Sequence, residues 1–323
     1  MKFRRSYQKR FVGWHVRLCR TLYGRRGGAL KNHSRPDPES FRTGAVIVSR
    51  NDNYGGNLAE RAACALRSAA LSFDKVIYVD WASEGRSLVS EIRPQLDGLD
   101  NLYQVEVSVE EARRLTGAAP GVQACCEVLA RNIGIRRLLE QGFDYIVSSN
   151  IDIIFPGRER IQNFVLNHVS PGSLVTVSRR DVPLSDVQGT GSDDPLVWSQ
   201  VLETQKDRYK QQERNSDPRP SLIGCCGDFQ VAGSSVWQCI RGFEERLVYA
   251  METDTGLQCK AFAAGLDVKV DFDLPIFHID HNTGNGGGGR RNNMLELMPI
   301  LRITGNPTDW GQIKNPRLHE MQV

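Results

Sequence analysis

An apolar run, Phe143-Asp144-Tyr145-Ile146-Val147, passes through two serines into Asn150-Ile151-Asp152. A strand of this kind delivers its polar residues to the carboxyl edge of a sheet, where α/β folds bind ligands. Carboxylate and amide oxygens at that edge suit a hard divalent cation, manganese or magnesium. Such a cation clamps a diphosphate and neutralises it as it departs. Far downstream, Phe277-His278-Ile279-Asp280-His281 offers two imidazoles at i, i+3, which can complete a shell around Asp152 given a suitable turn. The bland counterpart is a strand end closed by an Asn/Asp turn, with histidines that are merely satisfied polar residues.

Two more edges carry similar chemistry. Ser49-Arg50-Asn51-Asp52-Asn53-Tyr54-Gly55-Gly56-Asn57 follows a β-branched run and precedes a helix. Polar groups at a strand's carboxyl end, then glycines and a helix N-terminus, form a nucleotide pocket. The pattern is neither Gly-x-Gly-x-x-Gly nor a P-loop, which disfavours a dinucleotide or ATP of that kind. In the next edge, Asp80 can accept a hydrogen bond from a base N–H and Trp81 can stack on or wall the pocket. Arg131-Asn132 lies on a long helix, with Arg131 able to meet phosphate and Gly134 permitting a close backbone approach to the sheet or a ligand. The second half supplies an acceptor side: Gly227-Asp228 on a glycine-flanked strand, and Glu252-Thr253-Asp254 opening a helix. Acids in a first turn are favoured by the helix dipole alone. The functional alternative is Asp254 as a general base for an acceptor hydroxyl. Each of these residues also has an ordinary reading as turn, cap or solvated surface.

The elements that must position these groups alternate. Strands are expected at 44–49, 75–80, 103–107, 143–148 and 174–177. Helices are expected at 58–72 with Asn57 as N-cap, at 122–141 closed by Gly142, and at 160–168. Strand–helix–strand alternation over the first 150 residues implies a mostly parallel sheet with right-handed crossovers. Residues 181–220 are polar and read as a mobile insertion, partly helical around 198–212. Order returns at 227–231, 235–241, 252–264 and 268–270. A glycine-rich loop at 282–291 follows the histidines, and 295–323 shows short apolar pieces and little else.

The chain has 323 residues, 40% of them hydrophobic, and a net charge of +3. That sum hides an asymmetry. Residues 1–40 hold 11 Lys/Arg and 2 Asp/Glu, a local charge of +9, which leaves −6 for the remainder. No apolar run in this arm approaches the roughly 20 residues of a membrane span, and charges break any secretory h-region. The arm reads as a basic amphipathic helix on an anionic membrane, a nucleic-acid contact, a transit sequence, or a frayed solubilising tail. Eight cysteines include no Cys-x-x-Cys. A zinc ribbon is therefore disfavoured and a reducing compartment fits.

Taken in order, VIVSRNDNYGGNLAER, KVIYVDWAS, ARNIGIRRLL, FDYIVSSNIDIIFP, GDFQVAGSSVW, METD and FHIDH resemble the GT-A glycosyltransferases, especially the family 2-like branch. The resemblance covers roughly residues 44–282. It implies a GT-A-like α/β fold whose mostly parallel central sheet is flanked by helices. The catalytic domain would span 41–290, with a nucleotide-binding half at 41–156 and an acceptor half at 157–290. The basic arm (1–40) and a C-terminal tail (291–323) would lie outside it. It further implies a UDP- or GDP-sugar donor, gripped by Ser49, Asn51, Asp52, Asp80, Trp81, Arg131 and Asn132. Asn150 and Asp152 stand where the Asp-x-Asp metal motif stands. Asp152, His278 and His281 would hold manganese or magnesium. Asn150, Gly227, Asp228 and Glu252 would line the donor and acceptor pocket, and Asp254 would be the base of an inverting transfer. Asn150 departs from the usual first Asp, which removes one formal charge from the metal. The acceptor would be a glycan, lipid or protein hydroxyl. The expected location is cytoplasmic with peripheral membrane contact through residues 1–31, and no nucleic acid is expected as a partner. Two rivals share the same residues: a sugar- or nucleotide-binding scaffold without turnover, and a metal-dependent phosphoester hydrolase.

Overall fold

The computed structural model describes residues 14–22, 24–32, 34–117, 126–211, 227–247, 253–281, 306–312 and 314–323. The described residues open with a helical segment at 14–22 (α1) and helix α2 (Arg25–Leu30). Strand β1 (Thr43–Ser49) is buried along its whole length. That is what a β-branched run achieves when both faces of a parallel sheet are covered. Val46 and Val48 face one core with helix α6 (Glu127–Glu140), while Ala45 and Ile47 face another with helix α3 (Leu58–Ser72).

Both helices are placed by small residues. A side chain at Gly134 would meet Val46 Cγ1 at 2.4 Å, so this glycine lets α6 lie directly on β1. Alanines do the same for α3 on the opposite face. The C-terminus of α6 follows its glycine signal: Gly142 adopts φ +74, and the Phe143 N–H donates to the Leu138 carbonyl at 3.1 Å. The N-terminus of α3 departs from expectation. Asn57 sits in the left-handed region and makes no cap, and Asn53 Oδ1 instead accepts from the Leu58 N–H at 3.3 Å.

Further helices are α4 (Leu88–Leu96), α5 (Val109–Thr116), α7 (Arg158–His168), α8 (Leu184–Gln188) and α10 (Ser234–Ile240), and the remaining strands are β2 (Lys75–Trp81), β3 (Leu102–Val107), β4 (Tyr145–Asn150), β5 (Ile153–Ile154), β6 (Ser173–Val177), β7 (Arg180–Pro183), β8 (Lys210–Gln211), β9 (Phe229–Gly233), β10 (Asp267–Asp271), β11 (Phe277–Asp280) and β12 (Glu320–Gln322). The large sheet has the order β10-β6-β9-β4-β1-β2-β3-β12. In it β1, β2, β3, β4, β6 and β10 run one way, against β9 and β12. The fold is thus α/β with a mostly parallel central sheet flanked by helices, as the alternation required. After β1 the chain moves to β2 and β3, then returns to place β4 on the other side of β1. That reversal opens a crevice at the carboxyl ends of β1 and β4. Register brings Ser49 level with Asp80 and Val48 level with Asn150.

A second sheet has the order β5-β11-β7-β8. It corrects the reading of 181–220 as a mobile insertion. Within the described part, β7 and β8 pair, and helix α9 (Pro195–Thr204) starts at Asp194, whose Oδ1 accepts from the Leu196 N–H at 2.9 Å. Val182, Val187, Trp198, Leu202 and Tyr209 bury against Phe277 and Ile279. Widely spaced anchors in a polar stretch build this core, so no helical or strand period shows in sequence. The chain's end is also more ordered than expected. Trp310 is buried in the main core, and β12 adds antiparallel to β3, held by backbone bonds that leave no side-chain signature.

Candidate active site

Asp152 leaves the end of β4 and is buried beside three cationic or ligating groups. Its Oδ2 lies 2.9 Å from Arg61 Nη1, 3.2 Å from His281 Nε2 and 3.6 Å from His278 Nε2. Strand pairing sets this up. On β11, Phe277 and Ile279 point into the core of the small sheet, which turns His278 to the other face. Register then places His278 across from Ile153 on one side and Asp181 on the other. The Ile279 N–H donates to the Asp152 carbonyl at 2.8 Å, fixing the turn after β4 to β11. His278 Nδ1 meets Asp181 Oδ1 at 2.9 Å. A carboxylate behind a histidine fixes its tautomer and aims the other ring nitrogen at a ligand. His281 is held by an edge contact with Tyr54, ring centroids 5.1 Å apart, and by Gly55, where a side chain would collide with the imidazole.

The charge state follows from these contacts. Burial alone would push the Asp152 carboxyl up, but hydrogen bonds with His278 and His281 and the charges of His278 and Arg61 hold it down. Burial likewise opposes a charged His278, yet its hydrogen bonds to Asp152 and Asp181 prevail and carry it up to about 9. The set fits a divalent cation, which would displace the His278 proton on binding. One ligand atom from each of Asp152, His278 and His281 lies within 4.8 Å of the others. Asp152 Oδ1 and His281 Nδ1 are buried with no hydrogen-bond partner among the described residues. Two imidazoles and one carboxylate suit manganese and related transition ions. Arg61 is the competitor: its guanidinium supplies positive charge to Asp152 and also donates to the carbonyls of Tyr54 and Gly56.

Asn150 does not join that trio. Its Oδ1 accepts from Arg131 Nη2, and its Nδ2 donates to Asp228 Oδ1 at 2.5 Å. Arg131 is buried and also donates to Ser148 Oγ at 2.7 Å and to the Ser149 carbonyl at 3.2 Å. Beside this group, Asp254 opens helix α11 (Thr253–Ala263). Its carboxyl is raised to about 7, chiefly by burial and with help from the charges of Glu127 and Asp228, against the opposing pull of Arg131 and the Gly227 N–H. Asp254 Oδ1 has no hydrogen-bond partner among the described residues. Gly227 is required here, since a side chain at that position would meet Asp254 Oδ1 at 1.9 Å.

Arg179 joins the two halves. Its Nε donates to Asp181 Oδ1 at 3.0 Å, and its Nη1 lies 2.6 Å from Asp228 Oδ2. One side chain thereby braces both the carboxylate behind His278 and the carboxylate beside Asn150. Arg61, Arg179 and Asp181 were not among the residues expected from sequence. A charged residue inside the alanine-rich α3 was the available signal for Arg61.

Near the carboxyl end of β2, level with Ser49, Asp80 is buried. Burial raises it to about 6, despite hydrogen bonds from Ser83 and Tyr78. Ser83 Oγ in turn accepts from the Asn51 N–H at 2.8 Å, which ties the β2 edge to the β1–α3 loop. Ser49 Oγ donates to the Arg50 carbonyl at 3.3 Å. Asp52 is exposed, and its Oδ1 accepts from the Tyr54 N–H at 3.1 Å. The Asn51 amide is turned away, donating to Glu91 at 3.0 Å and to the Arg86 carbonyl at 3.1 Å.

Two expected donor contacts are placed elsewhere. Trp81 is buried in the core formed with α6, because successive strand residues face opposite sides of the sheet. Asn132 clamps the turn at 242–245: it donates to the Phe243 carbonyl at 2.9 Å and to Glu245 Oε1 at 3.1 Å, and accepts from the Phe243 N–H at 2.7 Å. Glu252 lies outside the described residues.

No family model matches the chain, and no curated protein matches it. Among solved structures it is similar to that of the mannosyltransferase PcManGT from Pyrobaculum calidifontis in complex with GDP-Man and Mn2+. The two are 14% identical, the match covers 93% of this chain and 80% of that chain, and the TM-score is 0.44.

Proposed function

We propose that this chain is a metal-dependent GT-A-type glycosyltransferase that moves a sugar from a UDP- or GDP-sugar to an acceptor hydroxyl. The observation that supports this reading is a row of polar residues along one edge of the large sheet: Asp80 near the end of β2 and level with Ser49 of β1, Asn150 at the end of β4 and level with Val48, and Asp228 just before β9. The Asp152–His278–His281 trio follows β4, and Asp254 lies beside Arg131 and Asp228. Sugar transfer from a nucleotide donor uses three such provisions: groups that meet the base, a clamp for the diphosphate, and a proton acceptor.

In this reading Asp152, His278 and His281 would hold manganese or magnesium, which would supply charge to stabilise the departing diphosphate. Asp181 orients His278, and Arg179 keeps that orientation in register with Asp228. A carboxyl near 7 is half-ionised at neutral pH and matched to hydroxyl deprotonation. The acceptor proton passes to Asp254. The acceptor oxygen bonds the anomeric carbon from the face opposite the leaving group. The bond from that carbon to the diphosphate oxygen breaks, and its electron pair leaves with the nucleoside diphosphate. Acceptors of this class include glycan, lipid and protein hydroxyls.

The Arg61–Asp152 pair favours a second reading. A carboxylate already balanced by arginine suits a nucleotide-binding scaffold that performs no transfer. Thermal unfolding against UDP, GDP, CMP, TDP and ATP, each with and without manganese, separates the cases. A ligand at 100 times its dissociation constant stabilises by about 2.7 kcal/mol. The transferase reading expects a manganese-dependent shift with one diphosphate, lost in Asp152→Ala, and donor turnover lost in Asp254→Asn. Binding without turnover supports the scaffold. A folded protein that responds to no nucleotide sinks both.

A further inference from the structure

The described part of the N-terminal arm is neither frayed nor featureless. Helix α1 buries Val16 and Cys19 against Cys259 and Ala263 of α11. Arg20 lies over the Phe262 ring at 4.3 Å and donates to the Leu266 carbonyl at 2.9 Å. The Gly27 N–H, on α2, donates to the Ala264 carbonyl at 2.8 Å. These contacts fix which way α1 faces. On the side away from α11, Trp14, Leu18 and Leu22 recur at i, i+4 and i+8 and are 61%, 41% and 61% exposed. No helix among the described residues is long and apolar enough to cross a membrane.

We propose that this face of α1 is a docking surface for an anionic lipid bilayer, with Trp14, Leu18 and Leu22 entering the interface. Charge decides between occupants. Residues 1–31 hold ten Lys/Arg and no Asp/Glu. Two copies meeting through α1 would bring these arms together, like charge against like. An anionic leaflet attracts each basic residue near it. Tryptophan favours the headgroup level, and a short apolar stripe with arginine beside it is the composition of an interfacial helix rather than a spanning one. Arg17, exposed next to the stripe, points the same way.

The other four tryptophans, Trp81, Trp198, Trp237 and Trp310, are buried. Trp14 can therefore report its own environment. The full chain is mixed with phosphatidylcholine vesicles, with or without phosphatidylserine, some carrying brominated acyl chains. The expected result is co-sedimentation that needs phosphatidylserine and weakens with added salt. Emission should be quenched by the brominated lipid, and the quenching should disappear in Trp14→Phe. Leu18→Glu with Leu22→Glu should lower vesicle affinity by about tenfold or more without moving Tm, because neither side chain supports the α11 contact. Binding that survives the double substitution, vesicle-insensitive Trp14 emission, or a dimer in solution that the double substitution splits, would each overturn the proposal.

Discussion

Replacing Arg61 with methionine tests the cation trio through its counter-charge. The Arg61 and Asp152 side chains are 1% and 7% exposed, and Nη1 is 2.9 Å from Oδ2. Opposite charges about 4 Å apart attract by about 4 kcal/mol at an effective dielectric near 20. That agrees with the roughly 3–5 kcal/mol lost when one partner of a buried pair is removed. With an unfolding entropy of about 2.1 cal/mol/K per residue, such a loss over a chain of 323 residues lowers Tm by about 6 °C. The substitution also removes bonds to the Tyr54 and Gly56 carbonyls. A double-mutant cycle with Asp152→Asn isolates the pair, with an expected coupling above about 1.5 kcal/mol. Without the guanidinium, one of the two cationic rivals at Oδ2 is gone and only the His278 proton is left to displace, so manganese affinity should rise by about tenfold. Unfolding in EDTA and in manganese, with a paramagnetic titration of free manganese, reads both quantities. A coupling below about 0.5 kcal/mol, or weaker manganese binding in Arg61→Met than in the unaltered chain, would refute the assignment of Arg61 as the competing charge.

Three further outcomes are expected. The Asp254 carboxyl is raised from 3.8 to about 7, so between those values the folded chain holds a proton that the unfolded chain has lost. Its contribution to stability is complete below the lower value and declines as pH rises through the upper one. Urea titrations should show that decline over this window in the unaltered chain and not in Asp254→Asn, and identical slopes would remove the shift. Asp181→Asn should weaken manganese binding by about 10–100-fold while leaving secondary structure intact, because Asp181 is the carboxylate behind His278 and its other side-chain partner is Arg179; calorimetric titration with manganese measures it, and unchanged affinity would count against the relay. Gly134→Ala should destabilise by about 1–3 kcal/mol, as a methyl there overlaps Val46. Adding Val46→Ala should recover part of the loss in denaturant melts, and no recovery would mean the glycine serves something other than the α6–β1 contact.

Much of the scaffold is local and was legible. β1, α3 and β2 follow from β-branched runs separated by an alanine-rich helical stretch, and Gly142 ends α6 because only its left-handed backbone closes the turn without strain. Residue chemistry and spacing singled out Asp152, His278 and His281, which the fold brings within reach of one another. Neighbours in sequence were a poorer guide. A helix turns about 100° per residue, so Arg131 faces the β4 edge while Asn132 faces Phe243. A strand alternates sides, so Asp80 stays with the crevice edge while Trp81 enters the core.

The chain by itself determined which side chains could ligate, donate or accept, because those are properties of residue type. Only the tertiary structure decided which of them share a charge. Arg61 and Asp152 are 91 positions apart, and Asp181 and His278 are 97 apart. Those distances in sequence are closed by the packing of α3 beneath the crevice and by the register of β7 on β11. Burial makes the Arg61–Asp152 pairing the stronger of the two, since a carboxylate removed from solvent takes its partner from whatever cation the fold provides.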